Sequence, residues 1–171
     1  IDSFTNTATF SGNVGIGTST IESYWSGYTV LKVGYNNSIF GNTADSVGSA
    51  VFISQNLYSD ASNYRYVGSG SDEGGLIDLR GGAFVFSNAP LGTAGNVASI
   101  VPRFTISSGG KVGIGTSTMN QDLNLLSSST SQSLINIGTS NSSRFLNVGV
   151  LGSAGYIMME NAAALNIGTG G

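Results

Sequence analysis

Almost the same ten residues occur twice in this chain, as Ser11-Gly-Asn-Val-Gly-Ile-Gly-Thr-Ser-Thr20 and, 98 positions later, as Gly109-Gly-Lys-Val-Gly-Ile-Gly-Thr-Ser-Thr118. In an extended backbone Val14 and Ile16, and again Val112 and Ile114, share one strand face, while Gly15 and Gly113 leave the other face bare. Glycine inside a strand costs entropy and packing, so its recurrence predicts a bulge, a bend, or a neighbouring chain pressed against the strand. The motif reads as architecture rather than chemistry. Val14, Gly15, Ile16 and Gly17 in the first copy, and Val112, Gly113, Ile114 and Gly115 in the second, are therefore the candidate assembly residues.

Only 9% of the 171 residues are charged, against roughly 25% in an ordinary globular domain. With 40% hydrophobic residues, 26 glycines, two prolines and abundant Ser, Thr and Asn, the composition matches short strands and tight turns, an all-β class. A net charge of −3, with six Lys plus Arg spread singly, leaves no electrostatic footprint for nucleic acid and no basic patch for a membrane surface. Every apolar run is broken by Gly, Ser or Asn before the roughly 18 residues of a membrane helix, so no membrane insertion is expected. The absence of cysteine removes disulfides and leaves the redox compartment undetermined. A start at Ile1, with neither initiator Met nor signal peptide, suggests a processed or fragmentary piece of something larger.

Three regions follow from the pattern. Residues 1–34 hold a terminal strand, free, exchanged with a neighbour or frayed, and the first motif. Ser19-Thr-Ile-Glu22 has the form of a helix capping box, but the β-branched Thr29-Val30 that soon follows allows one helical turn at most. Residues 35–107 alternate apolar and polar positions (Val51 and Ile53 against Phe52, Phe84 and Phe86 against Val85, Phe104 and Ile106 against Thr105) and predict five or six strands of a compact antiparallel β knob domain. Gly68 to Gly75 reads as a turn and Asn88 to Gly95 as a longer loop. Residues 108–171 carry the second motif and a Ser/Gly-rich tail. There Ile135-Asn-Ile-Gly138, Leu146-Asn-Val-Gly149 and Leu165-Asn-Ile-Gly168 repeat the glycine-terminated strand of Thr29 to Gly34 at irregular spacings, which argues against a solenoid of fixed period. Such a tail buries little apolar surface alone, so strands from several identical chains are expected to share one core.

Without histidine or cysteine the chain lacks the usual general base, thiol nucleophile and transition-metal ligands. Glu73 and Asp78, five apart on an extended segment, point to opposite faces and make a poor carboxylate pair. The glycines of the motif fit neither nucleotide-binding fingerprint, and no calcium-loop spacing is present. No catalytic residue, metal or cofactor is expected. Trp25, Tyr58, Tyr64 and Tyr66 form an aromatic group suited to stacking on sugar rings; the other reading is that Tyr64 and Tyr66 cap a β-core.

Arg103-Phe-Thr-Ile-Ser-Ser-Gly-Gly-Lys-Val-Gly-Ile-Gly-Thr resembles the Arg-Met-x-Ile-x-Ser-x-Gly-Asn-Val-Gly-Ile-Gly-Thr signature of bacteriophage tail-fibre and tailspike proteins and of related bacterial surface fibres. The segments Asn56 to Tyr66, Gly82 to Phe86 and Gly92 to Gly95 resemble the block that precedes that signature, so the likeness spans about Leu31 to Thr118 and returns at Ser11 to Thr20. Thr20 and Thr118 stand where the family often has proline. The resemblance implies a non-enzymatic, β-rich, homotrimeric fibre, extracellular on a virion or cell surface, that binds a receptor, often a glycan. Two rivals accompany it: a subunit of an open-ended bacterial filament built by strand addition, and a glycan-degrading spike.

Overall fold

The computed structural model describes residues 10–22, 27–42, 49–60, 62–68, 70 and 72–126, and the strands at 133–138, 145–151 and 154–160. The described residues are all-β, without a helix. The strands are β1 (Val14–Ile16), β2 (Tyr28–Val33), β3 (Asn37–Asn42), β4 (Ala50–Gln55), β5 (Leu57–Ser59), β6 (Tyr64–Tyr66), β7 (Asp72–Arg80), β8 (Ala83–Gly92), β9 (Val101–Ile106), β10 (Val112–Ile114), β11 (Leu123–Leu125), β12 (Ser133–Gly138), β13 (Phe145–Leu151) and β14 (Ala154–Glu160).

Nine of them form one mixed sheet in the order β1-β2-β3-β4-β7-β8-β9-β10-β11, so both motif strands are hydrogen-bonded into the same sheet as the region between them. Neighbours from β2 to β10 are antiparallel, whereas β1 runs parallel to β2 and β10 parallel to β11. β12 to β14 make a separate three-stranded antiparallel sheet. The third glycine-terminated segment of the tail, 165–168, and the spacer at 127–131 lie outside the described residues.

Where strands end, backbone chirality explains it. Gly17, Gly34 and Gly115 follow β1, β2 and β10 with φ of 70°, 66° and 73°, in the left-handed region that side chains disfavour. Some expected turns are strand instead. Gly74 and Gly75 sit inside β7 opposite Ala89 and Asn88, because Leu57 packs where a β-carbon on Gly74 would stand, 2.7 Å from its Cδ2. Asn88 to Gly92, expected as loop, completes β8; Pro90 is tolerated there because pairing with β9 ends at Asn88. The region from 37 to 106 thus holds β3 to β9, more than the five or six strands expected, since the β5–β6 hairpin is a small sheet of its own.

That hairpin covers one face of the large sheet. Val30, Phe40, Phe52 and Leu76 from the sheet enclose a core with Leu57, Tyr66 and Ala98. The Phe40 and Phe52 rings stack at 4.8 Å, and Tyr28 and Tyr64 lean on Phe52 at 5.9 and 6.3 Å.

Candidate functional site

The two copies of the motif build the same local structure at opposite ends of the sheet. In the first, Val14, Gly15 and Ile16 face Leu31, Lys32 and Val33; in the second, Val112, Gly113 and Ile114 face Leu123, Asn124 and Leu125. The ladder ends alike, with the Gly34 N–H donating to the Ile16 carbonyl (2.8 Å) and the Leu126 N–H to the Ile114 carbonyl (2.9 Å). After each strand a glycine turns left-handed and a threonine hydroxyl closes the bend: Thr18 Oγ1 with Thr20, and Thr116 Oγ1 with Thr118. The bend folds back so tightly that a β-carbon on Gly15 would collide with the Thr18 carbonyl, and one on Gly113 with the Thr116 carbonyl. The bend expected from the recurrent glycine is present, and the carbonyl pressed against each glycine belongs to the same chain.

The residue opposite each motif glycine secures the connection that follows. Lys32, only 1% exposed, donates to both Glu22 oxygens at 2.5 and 2.7 Å and lies over the Tyr35 ring at 5.7 Å. Glu22, expected to cap a helical turn, instead anchors its segment to β2. At the second motif Asn124 accepts from the Asn120 N–H and donates to the Gln121 carbonyl.

Val14, Val112 and Ile114 of the motif belong to a larger arrangement, whereas Ile16 lies in line with Val33, Asn37 and Gln55. Strand register places Leu31, Ile39, Ile53, Ile77, Phe86, Phe104, Ile114 and Leu125 in one row across the sheet, with Val14 beside Leu31. A second row runs Val51, Leu79, Phe84, Ile106, Val112 and Leu123. On the covered face the corresponding positions include Lys32, Ser38, Ser54, Asp78 and Thr105. At these positions burial runs against polarity: beside the Phe40 and Phe52 core Lys32, Ser38, Ser54 and Thr105 are buried, while on the other face Ile53, Phe84 and Ile114 are 43, 44 and 45% exposed. An apolar groove of about 630 Å³ lies on the uncovered face between Phe10, Val14, Ile16, Leu31, Ile39 and Val51.

The aromatic group does not form one exposed surface. Tyr66 is buried, its ring filling the space beside Gly92 and its hydroxyl donating to the Pro90 carbonyl, so it offers no face to a sugar. Tyr64 is half-buried against Phe52, and its phenol is pushed up to about 12 by burial and then by the Asp78 charge. Tyr58 sits half-buried opposite Arg65 on the hairpin, and Trp25 lies outside the described residues. Glu73 falls at a bulge of β7, between the paired Asp72 and Gly74, and Asp78 is held by Arg80. Among the described residues no three acidic groups cluster to hold a metal ion.

Comparison of the chain with protein-family models, curated proteins and solved structures returned no match. The likeness to tail fibres therefore rests on the quoted motifs alone. Sequence reasoning selected Val14, Ile16, Val112 and Ile114 but missed the rows in which Val14, Val112 and Ile114 stand, Ile39, Ile53, Phe84 and Phe86 above all. The signal was available. Ser38, Ser54 and Thr105 alternate with these residues, and an apolar face opposite a face of hydroxyls has two possible orientations.

Proposed function

We propose that the chain is a non-enzymatic structural subunit of an extracellular or virion fibre, and that its copies assemble by burying the apolar face of the nine-stranded sheet against one another. One observation carries this reading: the face with the larger, more continuous apolar side chains is the uncovered one. Nine strands at ~4.8 Å spacing span roughly 40 Å. Multiplied by the ~15 Å length shared by neighbouring strands, this gives an area on the order of 600 Å². That reaches the largest apolar patch of typical monomers, about 300–600 Å², and approaches the ~800 Å² per partner of a stable interface. The face bears no charged residue in its two rows, so one copy complements another without ion pairing. A closed trimer in which three such faces meet is the form implied by the resemblance at Arg103 to Thr116. Glycan recognition is not part of the proposal, since Tyr66 is buried.

The test is native mass by size-exclusion chromatography with light scattering, for the wild type and for the pair Ile53→Lys with Phe84→Lys. We expect a multimer for the first and, for the second, a smaller folded species that has lost face-to-face association, with unchanged β-sheet circular dichroism. A wild type that runs as a stable monomer with this sheet intact removes the proposal.

A further inference from the structure

Among the described residues the nine-stranded sheet ends in two edge strands, β1 and β11, each paired on one side. We propose that β11 of one copy pairs in parallel with β1 of the next, joining copies head to tail into a continuous sheet. This rests on the self-assembly reading and adds to it a second, directional contact.

Strand direction allows it. Following the pairings from edge to edge, β1, β2, β4, β8, β10 and β11 run one way and β3, β7 and β9 the other. Both edge strands thus point the same way. A second copy translated sideways, with its apolar face still on the same side, brings its β1 alongside β11 in the parallel sense.

The hydrogen-bonding groups match as well. In a parallel ladder alternate residues serve opposite neighbours. The Ile16 carbonyl is turned toward β2, where it accepts from the Gly34 N–H, so the N–H and carbonyl of Gly15 point to the open side. The Asp122 carbonyl and the Leu126 N–H bond to β10 at 2.7 and 2.9 Å, so the backbone groups of Leu123 and Leu125 point to the open side. With Gly15 of the next copy opposite Asn124, its N–H meets the Leu123 carbonyl and its carbonyl meets the Leu125 N–H. Val14 then faces Leu123, and Ile16 faces Leu125. A shift by one residue would turn Val14 and Ile16 onto the covered face.

This register already exists within the chain. β10 has the same Val-Gly-Ile sequence as β1 and holds Val112, Gly113 and Ile114 against Leu123, Asn124 and Leu125. β11 therefore lies between two identical strands, its own β10 and the β1 of the next copy; across the joint the Val112–Leu123 row continues through Val14 into Leu31 and Ile39, whereas the Ile114–Leu125 row continues through Ile16 and Val33 and ends at Asn37. Because the two edges differ, the contact is heterologous and generates a ring where its rotation closes and a filament where it does not.

The chain has no cysteine, so an engineered pair reports the contact without background. Neighbouring strands hold facing Cα atoms within the roughly 4.4–6.8 Å that a disulfide spans. Val14→Cys combined with Leu123→Cys, mildly oxidised, should give a covalent ladder or one closed multiple on a non-reducing gel, with neither single variant cross-linking. Leu125→Pro removes an outward N–H that bonds no other described residue and should abolish the ladder with the circular dichroism unchanged. Dimers from either single variant would mean that like edges meet, overturning the proposal. A wild type multimeric by light scattering but without cross-links in the double variant overturns edge pairing and leaves face burial standing; a monomeric wild type overturns both.

Discussion

Asn56 is the one residue other than glycine with positive φ (55°) among the described residues, and it is completely buried at the turn from β4 to β5. Its side chain holds three segments together: Oδ1 accepts from the Gly68 N–H at 2.7 Å, and Nδ2 donates to the carbonyls of Asp72 and Glu73 at 3.3 and 3.0 Å. Alanine would leave those groups unsatisfied in a left-handed backbone, so Asn56→Ala is expected to lower stability by about 2–4 kcal/mol in urea unfolding. Glycine at 56 should fall between, since it relieves the backbone and not the bonds. Asp60 sets a pH window. Its carboxyl is held at about 2, against an ordinary 3.8, first by the hydrogen bond from Arg65 and then by the N–H groups of Ser62 and Asn63. A folded value below the unfolded one stabilises the fold above the unfolded value and is lost as pH falls through the folded one. Melting temperature should therefore decline from about pH 4 to pH 2, and less steeply in Asp60→Asn. Neither residue was legible in the sequence. Asn56 is one asparagine in an asparagine-rich chain, and a backbone dihedral leaves no mark on composition.

The recurrent element is a short strand, a left-handed glycine, a threonine-closed bend and a parallel return. Its two halves were unequally visible. The repeat of Val-Gly-Ile-Gly-Thr-Ser-Thr declared itself, but its parallel partners hid because the return comes after different lengths: Leu31 lies 17 residues beyond Val14, and Leu123 lies 11 beyond Val112. Variable connections defeat a search for a fixed period. The structure also changes what the glycines predict. Gly113→Val drives its side chain into the Thr116 carbonyl, so the bend itself should open, with a loss of about 2–3 kcal/mol in thermal unfolding whatever the oligomeric state. Gly17 has open space beside it and only its φ of 70° to maintain. Gly17→Ala should cost about 1 kcal/mol. Equal effects at the two positions would show that the carbonyl contact is not what the motif glycine serves.

Across the whole molecule, alternation revealed the strands but not which face would be covered. Phe52 and Val85 share a side with Ser54 and Thr105, and both faces carry enough apolar residues to serve as a core; the β5–β6 hairpin, whose placement depends on long-range contacts, decides between them. An association driven by this apolar face, in a chain with 9% charged residues, should respond weakly to sodium chloride between about 0.05 and 1 M. Sulfate should tighten it, and light scattering across both salt series checks this. The layout of the sheet also imposes a rule of parity. Five strands, β3, β4, β7, β8 and β9, stand between β2 and β10, and because that number is odd, β2 and β10 run in the same direction. Adding or deleting a hairpin in the middle leaves the termini of the array interchangeable between variants. Adding a single strand reverses one terminus and makes the variant incompatible with its parent. The central region is in this sense a cassette, variable in length but bound to an odd count.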